Sequence, residues 1–334
     1  MLSIRRITLV LFALALVLGG ANAQRVLKYT HFQPGSEDQP KHAAALAFKE
    51  YVEENTGGSI RVELYPASQL GDAITVLQGL QLGTIELGVV HDGPIAEFFP
   101  PIELISTPFL FENQEIAYQV FDGEFGDYFG ERMLDEAGIR HMAFADNGIR
   151  HFTNDVRPIR SPADMEGLTI RIQPSPVYQR LVESLGASAI TVSWPELPTA
   201  LQQGVVDGQE NGVTNILAAS LYQYQRYVTL NGHVYSVHLY LMNPDFYDSL
   251  TAEEQQVVDE AIVIARDIHR EMTAEQDLNA EEILSGVGME VTVLSSEEIA
   301  AFRELAQPPM FEYLVGRVGQ DWVDRIVAAV EAAQ

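Results

Sequence analysis

Gly167-Leu168-Thr169-Ile170-Arg171-Ile172-Gln173-Pro174-Ser175-Pro176 reads as a short strand entered from a glycine turn and left through two prolines. The residues that follow repeat the alternation. Pro176–Leu185 reads as a helix, Ala189–Val192 as a strand, Glu196–Gln203 as a helix and Val206–Glu210 as a strand. Strands alternating with helices of this length give an α/β domain around a parallel sheet. Toward the N-terminus the pattern recurs. Val26–His31 and Ile60–Tyr65 read as strands around a helix over Pro40–Asn55, which starts at Asp38 and Pro40 and stops at Gly57-Gly58. Gly71–Leu82 reads as a helix and Ile85–His91 as a short buried strand. Pro100, Pro101 and Pro108 break the next stretch, and Glu112–Tyr118 and Gly126–Ala137 return to helical spacing.

Toward the C-terminus, Tyr222–Tyr240 is an aromatic-rich segment. Ala252–Leu284 is a helix-forming block nearly 50 Å long if unbroken at about 1.5 Å per residue. It is either two helices or one helix that spans two domains. Ser296–Val318 and Asp321–Ala333 are helical by pattern. With 334 residues and 47% hydrophobic residues, the chain has material for about two domains.

Charge and composition exclude several functions. The net charge is −27, from 20 basic and 47 acidic residues, so binding to nucleic acid is not expected. The same charge fits a solvated surface that keeps the protein monomeric, or a saline habitat. The chain has no cysteine, which rules out disulfides, thiolate metal sites, iron–sulfur clusters and a thiol nucleophile. Arg5-Arg6, the apolar run Ile7–Leu18 and Ala21-Asn22-Ala23 form a three-part export signal, with cutting expected after Ala23. An exported protein without disulfides or a lipid-anchor cysteine fits a periplasm.

No GxGxxG, GxxxxGK[ST], GxSxG or HExxH motif occurs. The eight histidines show no metal-ligand spacing. No cofactor, metal or catalytic residue is therefore expected. A secreted hydrolase remains the alternative class, because glycosidase carboxylates can lie far apart in sequence.

Three segments carry a resemblance. They are Asn147–Asn154, Gly167–Pro176 and Trp194–Asn211, the last ending in Asp207-Gly208-Gln209-Glu210-Asn211. Together with Gln69-Leu70-Gly71, Pro108–Phe111 and Asn231-Gly232-His233, they resemble the DctP-type solute-binding proteins of TRAP transporters, in order along the whole mature chain. The resemblance implies a two-domain, periplasmic-binding-protein-like α/β fold with a hinge and a long domain-spanning helix. It divides the chain into 24–147 plus 237–276, and 148–236 plus 277–334. It implies capture of a carboxylate-containing organic acid in the interdomain cleft, with a uronate or sugar acid favoured over a C4-dicarboxylate. The partners it implies are that ligand and the TRAP membrane permease.

The site residues follow from the same resemblance. On its own, Arg171 between Ile170 and Ile172 reads equally as a carboxylate clamp, a structural ion pair or an outward strand charge. It matches the family's carboxylate-clamping arginine. Arg150 matches a second ligand-facing arginine, and Asn211 an asparagine that hydrogen-bonds the carboxylate. Trp194 matches an aromatic that packs on the ligand, with Glu196 beside it in the same segment. From the first domain, His31, Gln33, Asp72, His91 and Asp92 are expected to contact the other end of the ligand. Pro198 and Gly212 depart from the usual tyrosine and proline of the pattern.

Overall fold

The structure is a computed structural model that describes residues 24–334. The export signal read over residues 1–23 lies outside the described residues. Nine strands form one sheet: β1 (Arg25–Thr30), β2 (Ile60–Tyr65), β3 (Leu87–His91), β4 (Arg140–Asn154), β5 (Thr169–Ile172), β6 (Ser188–Thr191), β7 (Gly208–Gly212), β8 (Tyr227–Met242) and β9 (Glu290–Val293). The order is β2-β1-β3-β8-β4-β7-β5-β6, with β9 paired to β8.

Two parallel trios flank a central antiparallel pair. β1 pairs parallel with β2 and β3, and β5 pairs parallel with β6 and β7. Each trio has the same strand–helix–strand wiring. Helices Pro40–Asn55 and Ala73–Leu82 connect the first trio, and Pro176–Ser184 and Leu197–Gln202 the second. The first of these buries Ala44, Ala45, Phe48 and Val52 completely, as its i, i+4 spacing implies.

β4 and β8 are the elements the sequence reading left unassigned, and they join the two trios. β4 over Arg140–Asp146 pairs with β8 over Val237–Met242, and β8 there also carries β3. β4 over Arg150–Asn154 pairs with β7. Between these halves the register slips at Asp146/Gly148, opposite Val237/Ser236, and Gly148 takes φ +91°. A left-handed backbone of this kind favours glycine, so the bulge falls where the sheet passes from one trio to the other.

The C-terminal block resolves into one long helix, Ala252–Leu278, and a short one, Ala280–Gly286, separated at Asn279. A capping box of Thr251 and Glu254 starts the long helix. It is about 40 Å long at 1.5 Å per residue. Near its start it packs on Pro40–Asn55, where Tyr51 donates to Glu260 at 2.6 Å. At its end Thr214 donates to Gln276 at 2.7 Å and the Ile149 amide to Asp277 at 2.9 Å. It therefore touches both halves of the molecule. The final helix, Gln320–Ala333, sets Trp322 against Phe99, Phe125 and Phe129, on the side of residues 24–147. The sequence division placed that helix with the other half. Its apolar face instead covers helices Gln114–Phe121 and Glu124–Ala137, because that is where aromatic surface is left to bury. Among the described residues no helix is long and apolar enough to cross a membrane.

Candidate functional site

The carboxyl ends of the two trios converge on a cavity. Phe32 and Gln33 follow β1, His91 ends β3, Arg171 lies on β5 with Gln173 just after it, and Asn211 is the last but one residue of β7. Strand ends of an α/β sheet are where such folds place ligands. β4 and β8 supply the floor through Asn147, Arg150 and His238, and Trp194 closes one side.

Arg171 is 1% exposed, and its only hydrogen-bond partner among the described residues is a carbonyl: Nε donates to Val192 O at 2.8 Å. Its Nη2 is buried with no acceptor. Burial, with Arg150 adding repulsion, lowers its pKa to about 9 despite the pull of Glu210, so it is cationic at neutral pH. A buried guanidinium with an idle N–H is a costly feature unless an anion completes it.

Arg150 differs. Nη2 donates to Glu210 Oε1 at 2.8 Å and to Glu210 O at 2.7 Å, and Nε also donates to that carboxylate. Burial pulls the Glu210 carboxyl up, but Arg150 and His233 outweigh it and hold the group below its usual range. Both arginines of the sequence reading line the cavity, and they differ in what else they hold. Arg150 lines the cavity as half of an internal ion pair, and Arg171 is the arginine without an acid.

A chain of amides fixes the wall between them. Asn215 Nδ2 donates to Asn147 Oδ1 at 2.6 Å and to Asn211 Oδ1 at 2.9 Å. Its Oδ1 accepts from Gln33 Nε2 at 3.0 Å and from Lys41 Nζ at 3.3 Å. Asn147 Nδ2 donates to Ser236 Oγ at 2.8 Å, and Ser236 Oγ to Asp92 Oδ1 at 2.9 Å. This network settles which way each amide points. It leaves Gln33 Oε1 buried with no donor. His238 Nδ1 lies 3.1 Å from Asp146 O, and a carbonyl only accepts, so Nδ1 carries the proton and Nε2 is left as an acceptor. His91 is held neutral, its pKa lowered to about 3 by burial and by Arg171, Lys41 and Arg150.

Of the residues singled out from sequence, Arg171, Arg150, Asn211, His91, Trp194 and Gln33 line this cavity. Four do not. Asp92 is fully buried and accepts from Ser106, Gln173, Tyr178 and Ser236, so its carboxylate is filled by protein donors. Asp72 caps helix Ala73–Leu82, accepting from the Thr75 amide at 2.9 Å. His31 turns inward, with Nε2 3.1 Å from His42 Nδ1. Glu196 is exposed and accepts from Ser193 Oγ at 2.5 Å.

Sequence reasoning missed Lys41, Asn147, Gln173, Asn215 and His238 on the lining, and Glu210 behind it. Lys41 carried a signal. It stands in the first turn of a helix, where the positive end of the dipole disfavours a cation. Among the described residues no cluster of acid or histidine side chains is placed to hold a metal ion.

The chain is similar to known proteins in sequence and in fold. A family model described as bacterial extracellular solute-binding protein, family 7, matches residues 31–314. The C4-dicarboxylate-binding periplasmic protein DctP of Rhodobacter capsulatus is 31% identical over 312 residues, covering 92% of this chain and 90% of that protein. The sugar acid binding protein DctPAm of Advenella mimigardefordensis, solved with galactonate, superposes with a TM-score of 0.88 at 28% identity, over 93% of this chain and 99% of that one. A TRAP periplasmic solute-binding protein of Polaromonas sp. JS666, bound to D-erythronate, superposes with a TM-score of 0.85 at 30% identity, over 91% and 98%.

Proposed function

The chain belongs to the bacterial extracellular solute-binding protein family 7, the DctP-type receptors of TRAP transporters, and from that premise we propose that it captures a hydroxylated organic acid of the sugar-acid or uronate kind. The observation that carries this reading is Arg171 Nη2, enclosed at the cavity without an acceptor. A ligand carboxylate meets that need with charge-assisted hydrogen bonds. Gln33 Oε1 and His238 Nε2 are acceptors without protein donors, and they suit ligand hydroxyls. The galactonate and D-erythronate held by the Advenella and Polaromonas proteins have both features.

The family is extracytoplasmic and works with a TRAP membrane permease. In our reading, residues 1–23 direct export with cutting after Ala23, and the mature protein acts as a monomer without turning its ligand over. The lobes are 24–147 plus 237–276, and 148–236 plus 277–334, with Gln320–Ala333 resting on the first. The crossover at Asp146–Gly148 and Ser236–Val237 serves as the hinge. Contacts across the cleft support a closed state. Trp194 Nε1 donates to Phe32 O at 3.2 Å, and Tyr178 and Gln173 donate to Asp92 at 2.8 and 3.0 Å. A ligand that touches both walls favours this form over an open one by its differential contacts.

Calorimetry with galactonate, galacturonate, glucuronate, D-erythronate and succinate tests the reading, with the recovered ligand checked by mass spectrometry. Saturable one-to-one binding of a hydroxylated acid, recovered unchanged, is the expected result. Tight binding of the neutral lactone or amide instead of the acid would remove the role of Arg171. Recovery of altered ligand would make the protein an enzyme.

A further inference from the structure

Lys41 is 1% exposed and lines the cavity from the first trio's side. Among the described residues its Nζ has one hydrogen-bond partner, the neutral Asn215 Oδ1 at 3.3 Å, although an ammonium carries three donors. No salt bridge reaches it from any described carboxylate. The charged group that acts on it is Arg150 of β4, a repulsive neighbour, and burial together with that arginine pushes the ammonium well below its ordinary pKa. The other titratable groups around it are imidazoles: His31 after β1, His91 of β3, His238 of β8 and His269 of the long helix, all held neutral. A buried lysine in the first turn of a helix, beside an arginine and without an acid, has no structural benefit that offsets its burial.

Charge counting gives its purpose. With Lys41 protonated, the state that an entering carboxylate favours, the cavity and its backing hold three cations, Lys41, Arg150 and Arg171, and two carboxylates, Glu210 and Asp92. One positive charge is left uncompensated. A ligand with one negative charge neutralises the site. A dianion leaves a buried negative charge instead. With Arg171 holding the carboxylate, the free N–H bonds of Lys41 remain for neutral oxygens. We propose that Lys41 is the ligand's second anchor, on the wall facing Arg171, and restricts the site to monocarboxylates bearing hydroxyl or oxo oxygens, excluding dicarboxylates. The proposal rests on the solute-receptor reading and narrows its ligand class.

Matched pairs of acids test it by calorimetry at neutral pH. Galactonate and galactarate share a six-carbon skeleton and differ by one carboxylate, as do 2-hydroxybutyrate and malate on four carbons. The intact protein is expected to prefer the monocarboxylate of whichever pair binds by at least about 100-fold, the scale of an uncompensated buried charge. Lys41→Met is expected to lower affinity for that acid at least about 30-fold, with Lys41→Arg recovering part of the loss and the ligand-free melting temperature of both variants not below wild type. Equal or tighter binding of galactarate or malate overturns the proposal, as does wild-type affinity in Lys41→Met. If only the four-carbon pair binds, the sugar-acid reading fails while the charge rule stands or falls on that pair by the same two criteria. Silence from all four acids overturns both. If Lys41→Met does not fold, Lys41→Gln takes its place under the same criteria.

Discussion

Two buried polar clusters share strands β4 and β8, and they are unbalanced in opposite directions. The cavity has more cation than acid: Arg171 Nη2 lacks an acceptor and Lys41 lacks an acid. At the crossover the excess is acid. Asp146 accepts from Tyr118 OH at 2.6 Å and from Tyr235 OH, and Gln114 Nε2 lies 3.4 Å from Asp146 Oδ2 and 3.1 Å from Asp277 Oδ2. Asp277 Oδ1 is enclosed without a partner, and the Arg270 guanidinium, which could have balanced the acids, is engaged by Asp122 at 2.6 and 2.8 Å. In the proposed reading a ligand carboxylate answers the first imbalance, and a proton the second. Variants of Arg171 and Lys41 should therefore change affinity and leave melting alone, and variants of the crossover acids should do the reverse.

The largest expected effect separates the two arginines. Arg171→Ala removes a cation that no protein acid needs, so the ligand-free protein is expected to melt no lower than wild type. Affinity is expected to fall by roughly 150- to 5,000-fold, the equivalent of about 3–5 kcal/mol for stranding a buried charge. Arg150→Ala strands Glu210 inside the protein, and about 3–5 kcal/mol of folding stability is expected to go with it. Denaturant unfolding and calorimetry on both variants check the pair. A stable Arg150→Ala protein beside an unstable Arg171→Ala protein would exchange the two roles.

At the crossover the effect is smaller and depends on pH. Burial, with Asp146 adding repulsion, raises Asp277 to about 8, and burial raises Asp146 to about 6 despite the tyrosine hydroxyls. A carboxyl whose pKa is higher folded than unfolded contributes its full stability below the unfolded value, near 4, and loses it as pH rises through the folded value. Asp277→Asn keeps an acceptor for the Ile149 amide and removes the titration. The variant is expected to match wild type near pH 4 and to melt higher at pH 8–9, with ligand affinity within a few-fold of wild type. Parallel melting curves across that range would detach Asp277 from the pH response.

The same contrast accounts for what the sequence disclosed. Both trios were legible because their strands and helices are apolar where they pack: Leu27, Val62, Ile170 and Leu181 are fully buried and fall on the expected periods. β4 and β8 were not, because the strands that bear both clusters carry Asp146, Asn147, Arg150, Thr153, His233, Ser236 and His238 at buried positions. A period written in hydrophobicity disappears where a central strand is filled with functional polar groups. Arg171, Asn211 and Trp194 were reachable through motif resemblance. Lys41 and Asn215 were not, because their roles arise only when the Pro40–Asn55 helix and the segment after β7 meet across the cavity. Asp72 and Asp92 misled for a related reason. A carboxylate beside a strand end or a glycine turn looks the same in sequence whether it caps a helix, gathers hydrogen bonds or meets a ligand.

The smallest expected effect is at the rim. Trp194 reaches from the β6 side to the Phe32 carbonyl with a 3.2 Å hydrogen bond, so the indole N–H belongs to the closed arrangement rather than to either wall alone. Trp194→Phe keeps an aromatic over the cavity and deletes that donor. A single such bond contributes about 1 kcal/mol, so affinity is expected to drop about fivefold with no change in ligand-free melting. The chain has one other tryptophan, Trp322, which packs among phenylalanines and does not line the cavity. A ligand-induced change in tryptophan fluorescence should thus be present in wild type, absent in Trp194→Phe and unaffected by Trp322→Phe. A full fluorescence response in Trp194→Phe would mean that the lobes close without this contact and that Trp194 only walls the cavity.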